Sequence, residues 1–203
     1  ERFDTEVRFG RVTEVDFSSK PHKVVVDGKK QITADTVIIS TGASAKWLGL
    51  ESEQRIRKSG GGVSACATCD GFFYRGKDVV IVGAGDSAAE EATFLAKLCR
   101  KVYMVVRKDQ MKASKAMQHR VNSTANLEVL YNTETEEVLG DTVVEGVRVF
   151  NNITGEKTDL KVDGFFVAIG HTPNTEIFKD FIHRDEVGYI KNVPGSSKTN
   201  VEG

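Results

Sequence analysis

The chain has 203 residues, of which 39% are hydrophobic and 28% charged, a composition typical of a soluble globular protein of one or two domains. Its 28 Lys and Arg residues against 29 Asp and Glu residues give a net charge of -1, which argues against nucleic acid as a partner. No apolar run reaches the ~20 residues of a membrane span, and the polar N-terminus is unlike a secretory signal peptide. Three cysteines are too few for a disulfide scaffold, so we expect a reducing compartment, the cytoplasm, and a functional role for any reactive pair.

The first third of the chain predicts a β-meander followed by an apolar strand. A turn is expected at Asp27-Gly28, and the last apolar run leads into Thr41-Gly42. The expected strands are 12–17, 23–26, 32–33 and 36–40.

The clearest secondary-structure signal is a strand-helix-strand (βαβ) unit over residues 79–106. Two apolar runs, 79–82 and 102–106, flank a glycine turn and a helical stretch. The apolar residues of that stretch fall on one helical face, so Cys99 is expected to be buried and inert. They are Ala88, Ala92, Leu95, Ala96 and Cys99.

The remainder predicts a second helix, one further strand and a second meander with an apolar strand after it. In order, we expect a helix near 113–123, strands at 127–130, 137–139, 143–150 and 158–162, a turn at 152–155, and an apolar strand at 165–169 ended by Gly170.

The order of meander, apolar strand, small residue and glycine thus occurs twice, at 11–42 and at 136–170. Only the second copy follows a βαβ unit, so we expect the chain to be a piece of a longer protein that begins and stops inside a second domain. The predicted fold class is α/β. It comprises a Rossmann-like, three-layer nucleotide-binding domain with a β-meander insert, plus part of a second domain.

Residues Gly83 to Ala88 form a G-x-G-x-x-A motif between a strand and a helix, the context in which this motif binds a dinucleotide. Gly83 permits the tight turn, and Gly85 lets a pyrophosphate approach the backbone. Ala88 keeps the helix close to the strand, and the helix N-terminus supplies free N–H groups. An ordinary strand-helix turn is the alternative reading.

The second strand of the unit ends in two basic residues, Arg107 and Lys108, with no acid before them. An NAD site usually has an acid there for the ribose 2'-hydroxyl. Four basic residues against Asp109 give residues 107–115 a local charge of about +3, which favours a 2'-phosphate and therefore NADP. A solvated charged loop is the alternative.

A Cys-x-x-Cys pair, Cys66 and Cys69, precedes the βαβ unit and is followed directly by Asp70. This spacing allows a readily reduced disulfide with Cα atoms within about 7 Å, and an adjacent acid can shuttle a proton to the leaving thiolate. Half of a zinc site or two core cysteines are the alternatives, and Asp70 could equally be a helix cap. Because zinc needs four ligands, we predict that no metal joins the pair.

For three aromatic or imidazole features we expect structural roles. His171 is expected to be a hydrogen-bonded hinge residue. Trp47 and the Phe72-Phe73-Tyr74 cluster are expected to pack in a core or between domains rather than to stack on a ligand.

Taken together, these motifs resemble the low-molecular-weight thioredoxin reductases, over essentially the whole chain. The resemblance is specific because the dithiol lies immediately before the pyridine-nucleotide fingerprint, whereas larger disulfide reductases carry it in the flavin domain. The segments that carry it are 66–74, 83–91, 107–109 with 112–113, 168–174 and 41–45.

The resemblance implies that electrons pass from NADPH to FAD, then to the dithiol, then to the disulfide of thioredoxin, with rotation of one domain exchanging access to the flavin. Cys69 would face the flavin, Cys66 would attack thioredoxin, and Asp70 would be the acid-base residue. Implied cofactor-binding residues are Gly83, Gly85, Asp86, Ser87, Ala88, Glu91, Arg107, Lys108, Lys112, Ile169, Gly170, Thr41, Gly42 and Ala43.

The same resemblance implies a chain with two nucleotide domains joined by crossing strands near 43–48 and 170–172, and a homodimer of such chains. It assigns 1–48 to the end of a first FAD-domain segment, 49–170 to the NADPH domain with the dithiol, and 171–203 to the start of a second FAD-domain segment. Because the flavin fingerprint and closing flavin segment are missing, we expect this chain alone not to retain FAD or turn over.

Three positions depart from the family pattern. Val106 replaces a frequent His, and Lys108 and Lys112 stand where Arg is usual. Lysine lacks the bidentate fork of arginine, which predicts a weaker NADPH preference.

The main functional hypothesis is therefore an NADPH-dependent flavoprotein disulfide reductase that acts on thioredoxin. The alternatives are the reductase component for a peroxiredoxin and a non-catalytic NADP-binding redox module.

Overall fold

A computed structural model describes Phe3 and residues 5–203. The chain divides into two compact units, one formed by Ala45–His171 and the other by the residues before Ala45 together with Thr172–Gly203. In the described residues, no helix has the length and apolar character needed to cross a membrane.

The described residues form thirteen strands, four α-helices and two short 3-10 helices. The first part contains β1 (Val12–Asp16), β2 (His22–Val26), β3 (Lys30–Ala34), β4 (Ala43–Ala45), α1 (Glu51–Lys58), β5 (Val63–Ser64), α2 (Ala67–Asp70) and a 3-10 helix (Gly71–Tyr74). The second contains β6 (Asp78–Val82), α3 (Asp86–Ala96), β7 (Lys101–Val106), α4 (Lys115–Asn122), β8 (Leu127–Tyr131), β9 (Thr133–Leu139), β10 (Gly146–Asn151), β11 (Lys157–Leu160), β12 (Gly164–Val167), β13 (His171–Pro173) and a 3-10 helix (Glu176–Phe178).

The unit Ala45–His171 is built on a five-stranded sheet of order β5-β12-β6-β7-β8, and every pairing in it is parallel. Strand β6 reads Asp-Val-Val-Ile-Val, a near-continuous apolar run of the kind that a parallel sheet covered on both faces requires. Successive side chains alternate between the faces. Val79 and Ile81 enter a core with α3 and α4, whereas Val80 and Val82 enter a core with α1 and the β9–β11 meander.

These two cores make the unit three-layered, which confirms the predicted α/β, Rossmann-like class with a meander insert. The meander is antiparallel, of order β11-β10-β9. The strand order reverses between β6 and β12, because the chain runs outward from β6 through β7 to β8 and then returns to place β12 on the other side of β6. Ligands of such sheets bind beside this reversal, at the carboxyl ends of the strands.

The other unit contains a three-stranded antiparallel meander, β1-β2-β3. Its small core places Phe17 against Phe178, with parallel rings 6.1 Å apart, and against Ile182. Strands β4 and β13 form a separate two-stranded sheet where the chain passes from one unit to the other.

The predicted strand over 36–40 is wrong. The chain there has no regular secondary structure, and Ile38 is 88% exposed, although Val37 and Ile39 pack against the small core. A strand is held by hydrogen bonds to a neighbouring strand, and in the described part of the chain no strand pairs with this run.

Three smaller differences concern helices. Helix α4 begins only at Lys115, because the Ser114 side chain caps it by accepting the Met117 N–H. Helix α3 ends at Ala96, so Cys99 lies in the following turn, but it is buried as predicted. Helix α1 was not predicted, since Ile56 is its one apolar residue.

Candidate active site

Cys66 and Cys69 are joined in a disulfide with their Cα atoms 5.3 Å apart, which confirms the predicted pairing. Cys66 lies at the N-cap of the short helix α2, where its Sγ accepts the N–H of Cys69 at 3.2 Å and lies 3.5 Å from the hydroxyl of Thr68. Cys66 is half-buried and Cys69 is exposed. The pair is therefore accessible, and a backbone N–H and a hydroxyl lie beside the sulfur of Cys66.

Asp70 is held beside this disulfide by Ser64, a residue that the sequence analysis missed. The Ser64 hydroxyl donates to Oδ2 of Asp70 at 2.6 Å and accepts the N–H of Cys66 at 3.0 Å. The carboxylate is thus bonded to the end of β5. Asp70 occupies the N-cap position of the following 3-10 helix, but its side chain makes no capping hydrogen bond there.

Glu91, on the fingerprint helix, faces the disulfide segment. Its carboxylate lies towards the backbone N–H of Ala67, and its Oε2 is buried without a hydrogen-bond partner among the described residues. Burial raises the pKa of the Glu91 carboxyl, whereas the Ala67 N–H and the charge of His171 act in the opposite direction. An orphaned acceptor here fits a ligand that brings an amide N–H, such as a nicotinamide carboxamide.

The fingerprint loop has the shape that a dinucleotide requires. A Cβ on Gly83 would lie 2.4 Å from the carbonyl oxygen of Ala168 and 2.6 Å from the Cβ of Ala88, so only glycine fits between strand and helix. The space beside Gly85 is open, and α3 begins directly after it with Asp86 and Ser87 exposed. A pyrophosphate fits this opening, at the positive end of the helix.

The structure brings the basic loop to this fingerprint. The N–H groups of Lys112 and Ala113 both donate to the carbonyl of Ala84, at 2.8 and 3.0 Å. The side chain of Asp86 accepts both the N–H and the hydroxyl of Ser114, at 2.9 and 2.7 Å, and these bonds lower the pKa of its carboxyl. Asp86 thus holds the loop in place.

The remaining basic residues lie at the carboxyl end of β7. Arg107 and Lys108 follow that strand directly, and both are exposed, as is Lys112. Ile169 and Gly170 follow the carboxyl end of β12, which lies on the other side of β6 from β7. Ile169 is 37% exposed, and the carbonyl of Gly170 accepts the N–H of Lys46.

Thr41, Gly42 and Ala43 lie in the other unit, which does not contain the dithiol. Asn174 organises them: its side chain donates to the Thr41 carbonyl at 3.0 Å and accepts the Ser44 hydroxyl at 2.9 Å, while its N–H donates to the Gly42 carbonyl. Gly42 has φ +64° with open space around it. The loop therefore leaves room for a bound group.

The three consecutive aromatic residues 72–74 divide into one buried and two exposed side chains. Tyr74 is buried and packs edge-on against Phe166, as a core residue should. Phe72 and Phe73 are 62% and 74% exposed, so the expected packing in a core is wrong for these two, and packing between domains stays a prediction. Both follow directly after the disulfide helix.

The third cysteine, Cys99, takes no part in this site. It is 6% exposed, and burial raises the pKa of its thiol to about 11. A thiol that stays protonated at neutral pH is a poor nucleophile, in line with the predicted inert role.

Comparison with known proteins agrees with this geometry. The family model described as pyridine nucleotide-disulphide oxidoreductase matches residues 2–203. The chain is 47% identical to a thioredoxin reductase of Eremothecium gossypii and 45% identical to thioredoxin reductase 1 of Saccharomyces cerevisiae, in each case over 100% of this chain and 65% of the relative. A thioredoxin reductase structure from Giardia duodenalis superposes with a TM-score of 0.81 at 37% identity, over 100% of this chain and 66% of that one.

The chain therefore belongs to the pyridine nucleotide-disulphide oxidoreductase family, whose members use FAD and NADPH. The resemblance to thioredoxin reductases inferred from the motifs is confirmed by relatives of that name. The chain spans about 65% of the length of these curated relatives.

Proposed function

We propose that this chain is the nucleotide-binding and dithiol portion of an NADPH-dependent, FAD-containing reductase that reduces the disulfide of thioredoxin. The observation that carries the proposal is that the disulfide helix and the fingerprint helix share one buried core within one unit, since Ala67 of α2 is buried together with Ala88 and Leu95 of α3. A nucleotide site and an accessible disulfide on the same small unit are the parts that such a reductase needs.

The coenzymes supply the electrons: when bound, NADPH provides a hydride and FAD passes its two electrons to the disulfide. Gly83, Gly85 and Ser87 would hold the pyrophosphate, and Arg107, Lys108 and Lys112 the 2'-phosphate. Thr41, Gly42 and Ala43 would contact FAD.

Once Cys66 and Cys69 are reduced, the exchange needs no further electrons. The Cys66 thiolate attacks one sulfur of the partner disulfide, forms a mixed disulfide and displaces the other sulfur as a thiolate. Cys69 then attacks Cys66, which re-forms the Cys66–Cys69 bond and releases the second sulfur. The two protons of the dithiol end on the partner, and Asp70, held by Ser64, carries a proton to a leaving thiolate.

One contact favours Cys66 as the attacking sulfur. In the structure its Sγ accepts the Cys69 N–H, and the same donor would stabilise negative charge on a reduced Cys66.

The exposed rings of Phe72 and Phe73 beside the dithiol suit a protein substrate rather than a small thiol, because a protein can cover this apolar surface. A cytoplasmic homodimer that binds neither nucleic acid nor membrane is part of the same proposal.

The test is NADPH-driven reduction of thioredoxin by the FAD-loaded holoenzyme. Replacing Arg107 with Ala should lower kcat/KM for NADPH about 10-fold to 150-fold, the size of a lost charge-assisted hydrogen bond, with little change for NADH. Arg120→Ala, an exposed arginine on α4, is the matched control and should leave both coenzymes unaffected.

Other outcomes would redirect the proposal. Turnover with a peroxiredoxin but not with thioredoxin would favour the peroxiredoxin reductase, and NADPH binding without any disulfide reduction would favour a non-catalytic module. Equal losses for NADPH and NADH in Arg107→Ala would contradict a 2'-phosphate role for Arg107.

A further inference from the structure

The tip of the meander reaches the loop that carries the basic pair. The turn between β10 and β11 contains Asn152, whose side-chain amide donates to the carbonyl of Arg107 at 2.8 Å. The two residues are 45 positions apart, so this bond is a tertiary contact that no local sequence pattern predicts.

A second asparagine holds the next residue of the loop. Asn132, between β8 and β9, donates its N–H to the carbonyl of Lys108 at 3.0 Å and accepts the N–H of Asn152 at 2.7 Å. Its φ of +50° is a left-handed conformation that asparagine tolerates better than most residues. The carbonyls of both basic residues are thus tied to one pair of asparagines.

The orientation of the Asn152 amide is itself determined. The same nitrogen that donates to Arg107 also donates to the carboxylate of Glu134 at 2.9 Å, so an acceptor lies on each side of it. Rotating the amide to present its oxygen would put oxygen against oxygen at both contacts, so only one orientation satisfies them.

We propose that Asn152 is a positioning residue that sets the preference for the 2'-phosphorylated coenzyme. This inference rests on the proposed NADPH site and adds one residue to that site. Arg107 and Lys108 are exposed, and their long side chains can meet a phosphate reproducibly only if the main chain that carries them is fixed. A lysine ammonium has no fork geometry, which makes the position of its backbone matter more.

The experiment compares Asn152→Ala with wild type in the FAD-loaded holoenzyme, using NADPH and NADH. We expect the KM for NADPH to rise about 5-fold to 30-fold, the scale of one to two hydrogen bonds, with kcat unchanged and NADH kinetics within 2-fold. Asn152→Asp keeps the size but cannot donate, and it should lower the NADPH preference at least as much.

Asn126→Ala is the matched control. The Asn126 amide also bonds main-chain carbonyls, those of Ala96 and Cys99, but it lies at the amino end of β8, whereas the basic loop lies at the carboxyl ends of these parallel strands. It should lower the melting temperature without changing the ratio of kcat/KM for the two coenzymes.

The possible outcomes separate this inference from the proposed function. If wild type prefers NADPH and Asn152→Ala keeps that preference, Asn152 is merely structural and the inference is wrong, while the proposed function stands. If wild type shows no preference for NADPH, the proposed NADPH site fails and the inference fails with it. A lower preference in Asn126→Ala of the same size would also overturn it.

Discussion

The chain contains two three-stranded meanders that are followed by similar apolar runs but end differently. Strands β1 to β3 lead into residues 36–40, and strands β9 to β11 lead into β12. The second run lies between β5 and β6 with all four of its residues buried. The first run forms no strand, and its central residue, Ile38, is 88% exposed.

The difference lies in the neighbours and not in the sequence of the runs. Strand β12 pairs in register with Val79–Val82 on one side and with Val63 and Ser64 on the other, so its backbone groups are bonded and both of its faces are covered. Residues 37 to 39 still alternate between half-buried and exposed, as a strand would. Alternating burial therefore indicates a tendency to form a strand, but the strand forms only where a neighbouring strand supplies hydrogen bonds.

Hydrogen exchange should show the largest contrast between the two runs. We expect the Phe166 amide to exchange at least about a thousandfold slower than an unstructured amide, because its release requires the sheet to open. The Ile38 amide should exchange within about tenfold of the unstructured rate. Amide-resolved exchange measured by NMR checks this, and comparable protection at both positions would show that residues 36–40 do have a pairing partner in solution.

Truncating one apolar side chain in each run should give the next largest effect. Phe165→Ala removes a fully buried ring and should lower the free energy of unfolding by about 3 to 5 kcal/mol. Ile38→Ala removes an exposed side chain and should change it by less than about 0.5 kcal/mol. Urea unfolding of both variants measures the difference, and losses of similar size would mean that Ile38 is covered.

The two meanders should respond alike, and weakly, to acid. Each has a cross-strand ion pair, Asp16 with Lys23 and Asp159 with Arg148. Bonds from Ser18, and then from Lys23, lower the pKa of Asp16 to about 2, and Arg148 lowers that of Asp159.

A carboxyl with a lowered pKa contributes its stability above the unfolded value, near 4, and loses it as the pH falls towards the folded value. Asp16→Asn and Asp159→Asn should therefore destabilise slightly at pH 6 and not at pH 2. Because both pairs are exposed, added salt should shrink the effect. Urea midpoints at the two pH values check this, and a larger loss at pH 2 than at pH 6 would reverse the sign.

Features encoded within about 30 consecutive residues could be predicted from the sequence. The βαβ unit, the fingerprint glycines and the Cys66–Cys69 pairing all belong to this group, and so does the burial of Cys99. In each case a periodic pattern or a fixed spacing is sufficient, because the interacting groups are neighbours along one turn or one helix face.

Tertiary structure decided the rest. The amide of Asn152 meets the loop after β7, and helix α1 forms on one apolar residue, with the buried Glu53 accepting the N–H groups of Leu48 and Gly49. Ser64 holds Asp70 only because the fold places the end of β5 beside the end of the short helix α2. Residues 36–40 have the pattern of a strand but not the neighbour. Polar side chains find partners, and apolar runs become strands, only when the fold brings distant segments within hydrogen-bond reach, and no local period records that distance.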